Sequence, residues 1–212
     1  MMHSAGIQLL GFTLAFLGVI GSIASTVMVE WKASSYAGDN IITAQAMYEG
    51  LWKSCVSQST GQIQCKVYDS LLQLPGIVLG TRGLMLCAIL LGIISMMVEM
   101  VGMRCTTCMS EAPAQKDKVA LAGGVIFIIA GLLALAGTSW YGHRIAKDFY
   151  NPFTPTNSRY EFGSALYVGW GAASLIIIGG SFLCCNCSTG GSGKQPRYPA
   201  SRSAGPQGKD YV

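Results

Sequence analysis

The sequence predicts a membrane α+β protein: a left-handed bundle of four transmembrane helices carrying a small extracellular antiparallel β-sheet. Three observations predict it. Apolar residues fill 51% of the 212 positions before the 27 glycines are counted, and charged residues only 11%, against roughly 25% in an ordinary soluble domain. The few charges are parted by four long apolar runs. The longest polar segment holds two cysteines at the spacing of a hairpin. So thin a cover of charge rules out a soluble enzyme and a disordered chain alike. The net charge of +4 is small and dispersed, which excludes nucleic acid as a partner and leaves the lipid bilayer as solvent.

After a short N-terminus, 1–6, residues 7–29 carry no charge until their end, a length that crosses roughly 30 Å of hydrocarbon as a helix. A polar segment, 30–82, follows. The second span is 83–103, interrupted only by Glu99; the third is 119–141, after a connection at 104–118; and the fourth is 162–185, after a polar segment at 142–161. A flexible tail rich in Gly, Ser and Pro occupies 186–212. Backbone groups in lipid must be satisfied within their own segment, so helix is the only sensible conformation for each run. Glycines recur in these runs, as at Gly11, Gly18, Gly21, Gly123, Gly131 and Gly179, where they allow the close backbone approach that holds membrane helices together. Glu99 lies one turn from the end of its span. A carboxylate there is costly, so it either snorkels or is protonated, or it serves an ion pathway.

The density of Lys and Arg places 104–118 and the tail weakly on the cytoplasmic side. The cysteines say more. Cys55 and Cys65 lie in the first polar segment, whereas Cys105, Cys108, Cys184, Cys185 and Cys187 crowd the opposite helix ends. Disulfides persist in oxidising compartments, and juxtamembrane cysteines are candidates for palmitoylation on the cytoplasmic side, or else stay as plain thiols. Both termini are therefore expected inside the cell.

Within 30–82, Ile41–Thr43, Met47–Tyr48, Leu51–Trp52 and Ile63–Tyr68 read as strands, and Ala37–Asn40 as a turn. If Ser59-Thr60-Gly61 is a three-residue hairpin loop with Gly61 left-handed, Gln58 faces Gln62 and, counting back, Cys55 faces Cys65. Paired residues in an antiparallel ladder lie within disulfide range. The same register sets Trp52 opposite Tyr68, on the face away from the bridge. A metal site is the rival use of the cysteines, but no His, Asp or Glu lies between or beside them to complete one. His3 and His143 fall on opposite sides of the membrane, and no nucleophile, phosphate-loop or dinucleotide pattern sits in a suitable context. The sequence therefore calls for no enzyme, cofactor or metal.

Trp31, then Gly50-Leu51-Trp52, Cys55 and Cys65, with Arg82 at the mouth of the second span and Tyr211-Val212 at the end, resembles the signature of the claudins, in particular the subgroup of claudins one, seven and nineteen. The resemblance covers the chain from Gly6 to Val212. It implies a tight-junction strand protein that polymerises side by side in one membrane and meets partner claudins on the next cell, forming a paracellular barrier. It also implies four strands from the first extracellular segment and one from the second, and a short contact helix near Tyr68–Leu72. Lys66 aligns with the position where cation-pore members carry an acid. Together with Lys53, Asp69 and Arg82 it gives a positive stretch, which implies a path that disfavours cations; the competing reading makes Lys66 a solvated lysine guarding a sheet edge. Tyr68, Phe149, Tyr150, Phe153 and Tyr160 are implied contacts within or between membranes, although the rings of the second segment would also serve by packing on their own sheet. Tyr211 and Val212 suit the groove of a junctional PDZ scaffold. An auxiliary, gamma-type channel subunit is the alternative function.

Overall fold

The computed structural model describes residues 2–34, 46–58, 60–70, 74–102, 113–154 and 159–190. Four long helices, α1 (Met2–Val27), α2 (Gly76–Gly102), α3 (Pro113–Tyr150) and α4 (Ser164–Gly190), each contain a stretch long and apolar enough to cross a membrane. Five strands join them: β1 (Lys32–Ser34), β2 (Ala46–Glu49), β3 (Lys53–Ser57), β4 (Ile63–Val67) and β5 (Tyr160–Phe162). They form one antiparallel sheet in the order β4-β3-β2-β1-β5. Four of the five come from the first long polar segment and the last from the second, as the family resemblance implied.

α1 packs along α4, α4 along α3 and α3 along α2. The glycines explain how closely. A Cβ at Gly18 would lie 2.7 Å from the carbonyl oxygen of Ala172, and one at Gly179 would lie 2.6 Å from the amide nitrogen of Ala15. Either side chain would wedge α1 from α4, so the small residues set the interhelical distance. On the sheet side, two helices overrun their apolar cores. α2 starts at Gly76, where the carbonyl of Pro75 accepts from the amide of Val78 at 2.9 Å; a proline at a helix start forfeits no helical hydrogen bond. α3 continues past Tyr141 for more than two turns and carries an Arg144–Asp148 pair at 3.3 Å on its polar extension.

Two local readings are corrected. Leu51 and Trp52 are not in a strand: they form a bend between β2 and β3, because Leu51 turns down into the bundle. Glu99 does not snorkel. It is fully buried against α3, and a Cβ at Gly123 would lie 2.7 Å from its Oε1, so glycine leaves room for the carboxyl. Of the expected contact helix, Tyr68 is not helical, and Leu71 and Leu72 lie outside the described residues. So do Ile41–Thr43 and Ala37–Asn40.

Candidate functional site: the sheet and its anchorage

The hairpin that carries the cysteines follows its local chemistry. Gly61 has φ 80°, a left-handed conformation cheap only for glycine. The amide of Gln58 donates to the carbonyl of Gln62 at 2.9 Å. From there the ladder pairs Ser57 with Ile63, Val56 with Gln64 and Cys55 with Cys65, whose Cα atoms are 4.0 Å apart and whose sulfurs are bonded. The register extends to Trp52 and Tyr68, joined by an amide-to-carbonyl bond at 3.4 Å.

The five signature residues meet at one place, beneath the sheet. Trp31 is fully buried, donates Nε1–H to the carbonyl of Ser25 at 2.8 Å and packs edge-on against Tyr141 at 5.2 Å. Gly50 passes so close to α1's exit that a Cβ would sit 2.7 Å from the Cα of Val29. Leu51 is buried in the same apolar cluster as Trp31 and Met85. Its carbonyl accepts from Nε of Arg82 at 2.6 Å. The Arg82 guanidinium lies 4.7 Å from the Trp52 ring centroid and 5.7 Å from that of Tyr68, a stacked arrangement that suits a weakly hydrated, delocalised cation. The signature is thus a buckle between sheet and bundle. Arg82 is only 5% exposed, so it adds nothing to the surface charge counted for it in the sequence. Lys53, Lys66 and Asp69 alone remain, a net of one positive charge.

Lys66 stands on β4, the sheet's outer edge strand, and its Nζ lies 2.7 Å from Oδ2 of Asp69, both groups well exposed. The hydrogen bond and charge of Asp69 hold the Lys66 ammonium above its ordinary range. Lys66 therefore guards an edge and presents charge at once, with part of that charge answered by its neighbour. Tyr68 is half-buried, donates its hydroxyl to the carbonyl of Gly50 at 3.2 Å, and is pushed up to about 12 by desolvation, with Glu49 adding to the shift and Arg82 opposing it.

Among the aromatic residues of the second polar segment, Tyr150 and Phe153 are 82% and 91% exposed. An Asn151 turn presents them, its Oδ1 accepting from the amide of Phe153 at 3.1 Å. Phe149 is partly covered by Tyr150 and by the Arg159 guanidinium. Tyr160 is committed to its own fold: it pairs with Ser34, donates its hydroxyl to Oε1 of Glu49 at 3.2 Å and lies under Nζ of Lys32. Burial and the Glu49 charge raise its phenol above the usual range. Glu49, which also pairs with Lys32 at 2.6 Å, is a hub that sequence reasoning missed, because its partners come from strands far apart in the chain. Glu30, whose carboxylate accepts from the Ser164 hydroxyl at the start of α4, was missed for the same reason.

Cys184 and Cys185 lie near the other end of α4, and neither is in a disulfide. Cys105, Cys108, Tyr211 and Val212 lie outside the described residues, as does the side chain of Cys187. Among the described residues no three His, Cys, Asp or Glu side chains are grouped to hold a metal.

Residues 5–183 match the model of the PMP-22/EMP/MP20/Claudin family. The whole chain aligns with the whole of Claudin-1 from Rattus norvegicus at 55% identity and of Claudin-7 from Homo sapiens at 50%. Claudin-19 from Homo sapiens is 53% identical over 96% of this chain and 92% of its own length. With four membrane-length helices, a five-stranded sheet and the buckled signature beneath it, the chain belongs to the PMP-22/EMP/MP20/Claudin family, among its claudins.

Proposed function

We propose that this claudin-type tight-junction protein polymerises with claudins in its own membrane, meets claudins of the apposed cell, and forms a paracellular barrier that disfavours cations. The sheet faces the intercellular space and both termini are cytoplasmic. The observation that carries the reading is the buckle: a stapled sheet fixed rigidly on the bundle, with its edge strand, Tyr150 and Phe153 left open to other molecules. Fixed charge on such a surface discriminates ions as a charged ring does in a channel. Lys66 and Lys53 repel cations, and Asp69 attenuates Lys66. The tail engages a junctional PDZ scaffold through Tyr211 and Val212, and the cysteines at the cytoplasmic helix ends are sites for acylation.

Freeze-fracture of fibroblasts expressing the full chain tests the polymer: continuous intramembrane strands are expected, and scattered particles would instead favour the auxiliary-subunit reading. Dilution potentials across a monolayer test the charge. Lys66→Asp should raise sodium over chloride permeability and Asp69→Asn should lower it. An unchanged ratio in both rejects the assignment of selectivity to this pair.

A further inference from the structure

In the ladder, Lys32 of β1 stands opposite Glu49 of β2, and Ser34 of β1 stands opposite Tyr160 of β5. Alternate residues of a strand share a face, so Lys32, Glu49 and Tyr160 lie on the same side of the sheet. There they close a triangle. Lys32 Nζ is 2.6 Å from Oε2 of Glu49 and 4.3 Å from the Tyr160 ring centroid, and the Tyr160 hydroxyl donates to Oε1 of Glu49 at 3.2 Å. Both carboxylate oxygens are thus engaged, each by a different strand. The charged side chains are only 25% and 32% exposed, so water screens the pair less than it screens a surface salt bridge.

This tie acts where the backbone holds least. β5 is an edge strand of three residues paired with a β1 of three, and so short a ladder is marginal by itself. Its far end is pinned, since the amides of Gly163 and Ala165 donate to the carbonyls of Trp31 and Glu30 at 3.1 and 3.0 Å. Its near end, at Tyr160, faces the end of α3 across a cleft of about 290 Å³, lined by Phe149 and Tyr150 from α3 and by Tyr160 and Phe162 from β5. The bond from Tyr160 to Glu49 reaches past β1 to β2 and so fixes that near end to the body of the sheet. We infer that Glu49 is a positioning residue: through Lys32 and Tyr160 it holds β5 at a set distance from the end of α3, and so shapes the surface around Tyr150 that other claudins meet. The last step rests on the junctional role proposed above; the hold on β5 does not. Tyr160 then serves contact between molecules from within its own fold, without touching a partner.

Amide exchange of the full-length protein in lipid nanodiscs tests the hold. Tyr160→Phe keeps the ring, removes the hydroxyl and should quicken exchange in β5 about threefold. Glu49→Ala should quicken it about tenfold, and in that background Tyr160→Phe should add nothing. Lys32→Met should quicken it too, whereas Lys32→Arg should keep the wild-type rates. β4 and the amides of Gly163 and Ala165 should exchange as before. Unchanged rates in β5, a rise shared equally by β4, additive effects of Tyr160→Phe and Glu49→Ala, or Lys32→Arg as fast as Lys32→Met would each overturn the inference. Should Glu49→Ala not fold, Tyr160→Phe and the two Lys32 variants carry the same test. In fibroblasts, Tyr160→Phe should reach the surface and gather about threefold less than wild type at contacts with cells expressing the wild type. Equal gathering with quickened β5 exchange would overturn the positioning role. A wild type that gathers at no contact, with β5 responding as stated, would count against the junctional reading alone.

Discussion

Arg82 is the residue on which sheet and bundle most depend. Its planar fork delivers Nε to a carbonyl while its face stacks on two rings, and an ammonium cannot do both. Arg82→Lys should therefore destabilise the protein by about 2 kcal/mol, read as a lower thermal midpoint in detergent with helix content unchanged. Tyr68, beside it, predicts an alkaline limit. Its phenol sits at about 12 in the fold against 10.0 for an ordinary tyrosine, so between those values the unfolded chain loses a proton that the native one keeps. The stability is complete below pH 10 and drains away as pH rises toward 12. Tyr68→Phe should flatten that decline in thermal midpoints measured from pH 9 to 11.5. Glu99 is a local inconsistency, a fully buried carboxyl within an apolar span. Glu99→Met fills the same space without a polar group, and should raise stability by about 1–3 kcal/mol; a lowered midpoint would contradict that account.

At the scale of elements, the hairpin of β3 and β4 was legible from sequence because every constraint on it is local. One glycine sets the loop, the loop sets the register, and the register brings Cys55 to Cys65. Leu51-Trp52 misled for the opposite reason: two large apolar residues look like strand, yet their placement is decided by a cluster built from Trp31 and Met85, which no short window of sequence contains. The polar turns that extend α3 to Tyr150 were equally hidden, since hydropathy falls where the helix leaves lipid although its i,i+4 pairing persists. The bridge closes a loop of separation 10 and should contribute on the order of 3 kcal/mol, chiefly by restricting the unfolded chain. Cys55→Ser with Cys65→Ser should leave the four helices intact by far-ultraviolet dichroism. It should speed amide exchange in β4, the edge strand that has only β3 to hold it.

Across the whole molecule, four spans follow from hydrophobic length alone, and the family signature was readable as a string of letters, but its physical meaning required the fold. Trp31, Gly50, Leu51, Trp52 and Arg82 are spread over some fifty positions of the sequence; in space they form the joint under the sheet. The charge that remains on the sheet's surface is correspondingly smaller. The two polar segments are also one body, since β5 pairs with β1 while the amides of Gly163 and Ala165 donate to the carbonyls of Trp31 and Glu30. A pull applied to β5 would therefore pass into the first turn of α4 and the exit of α1. The interlocked glycine seam of those two rods, rather than α2, takes up the tension.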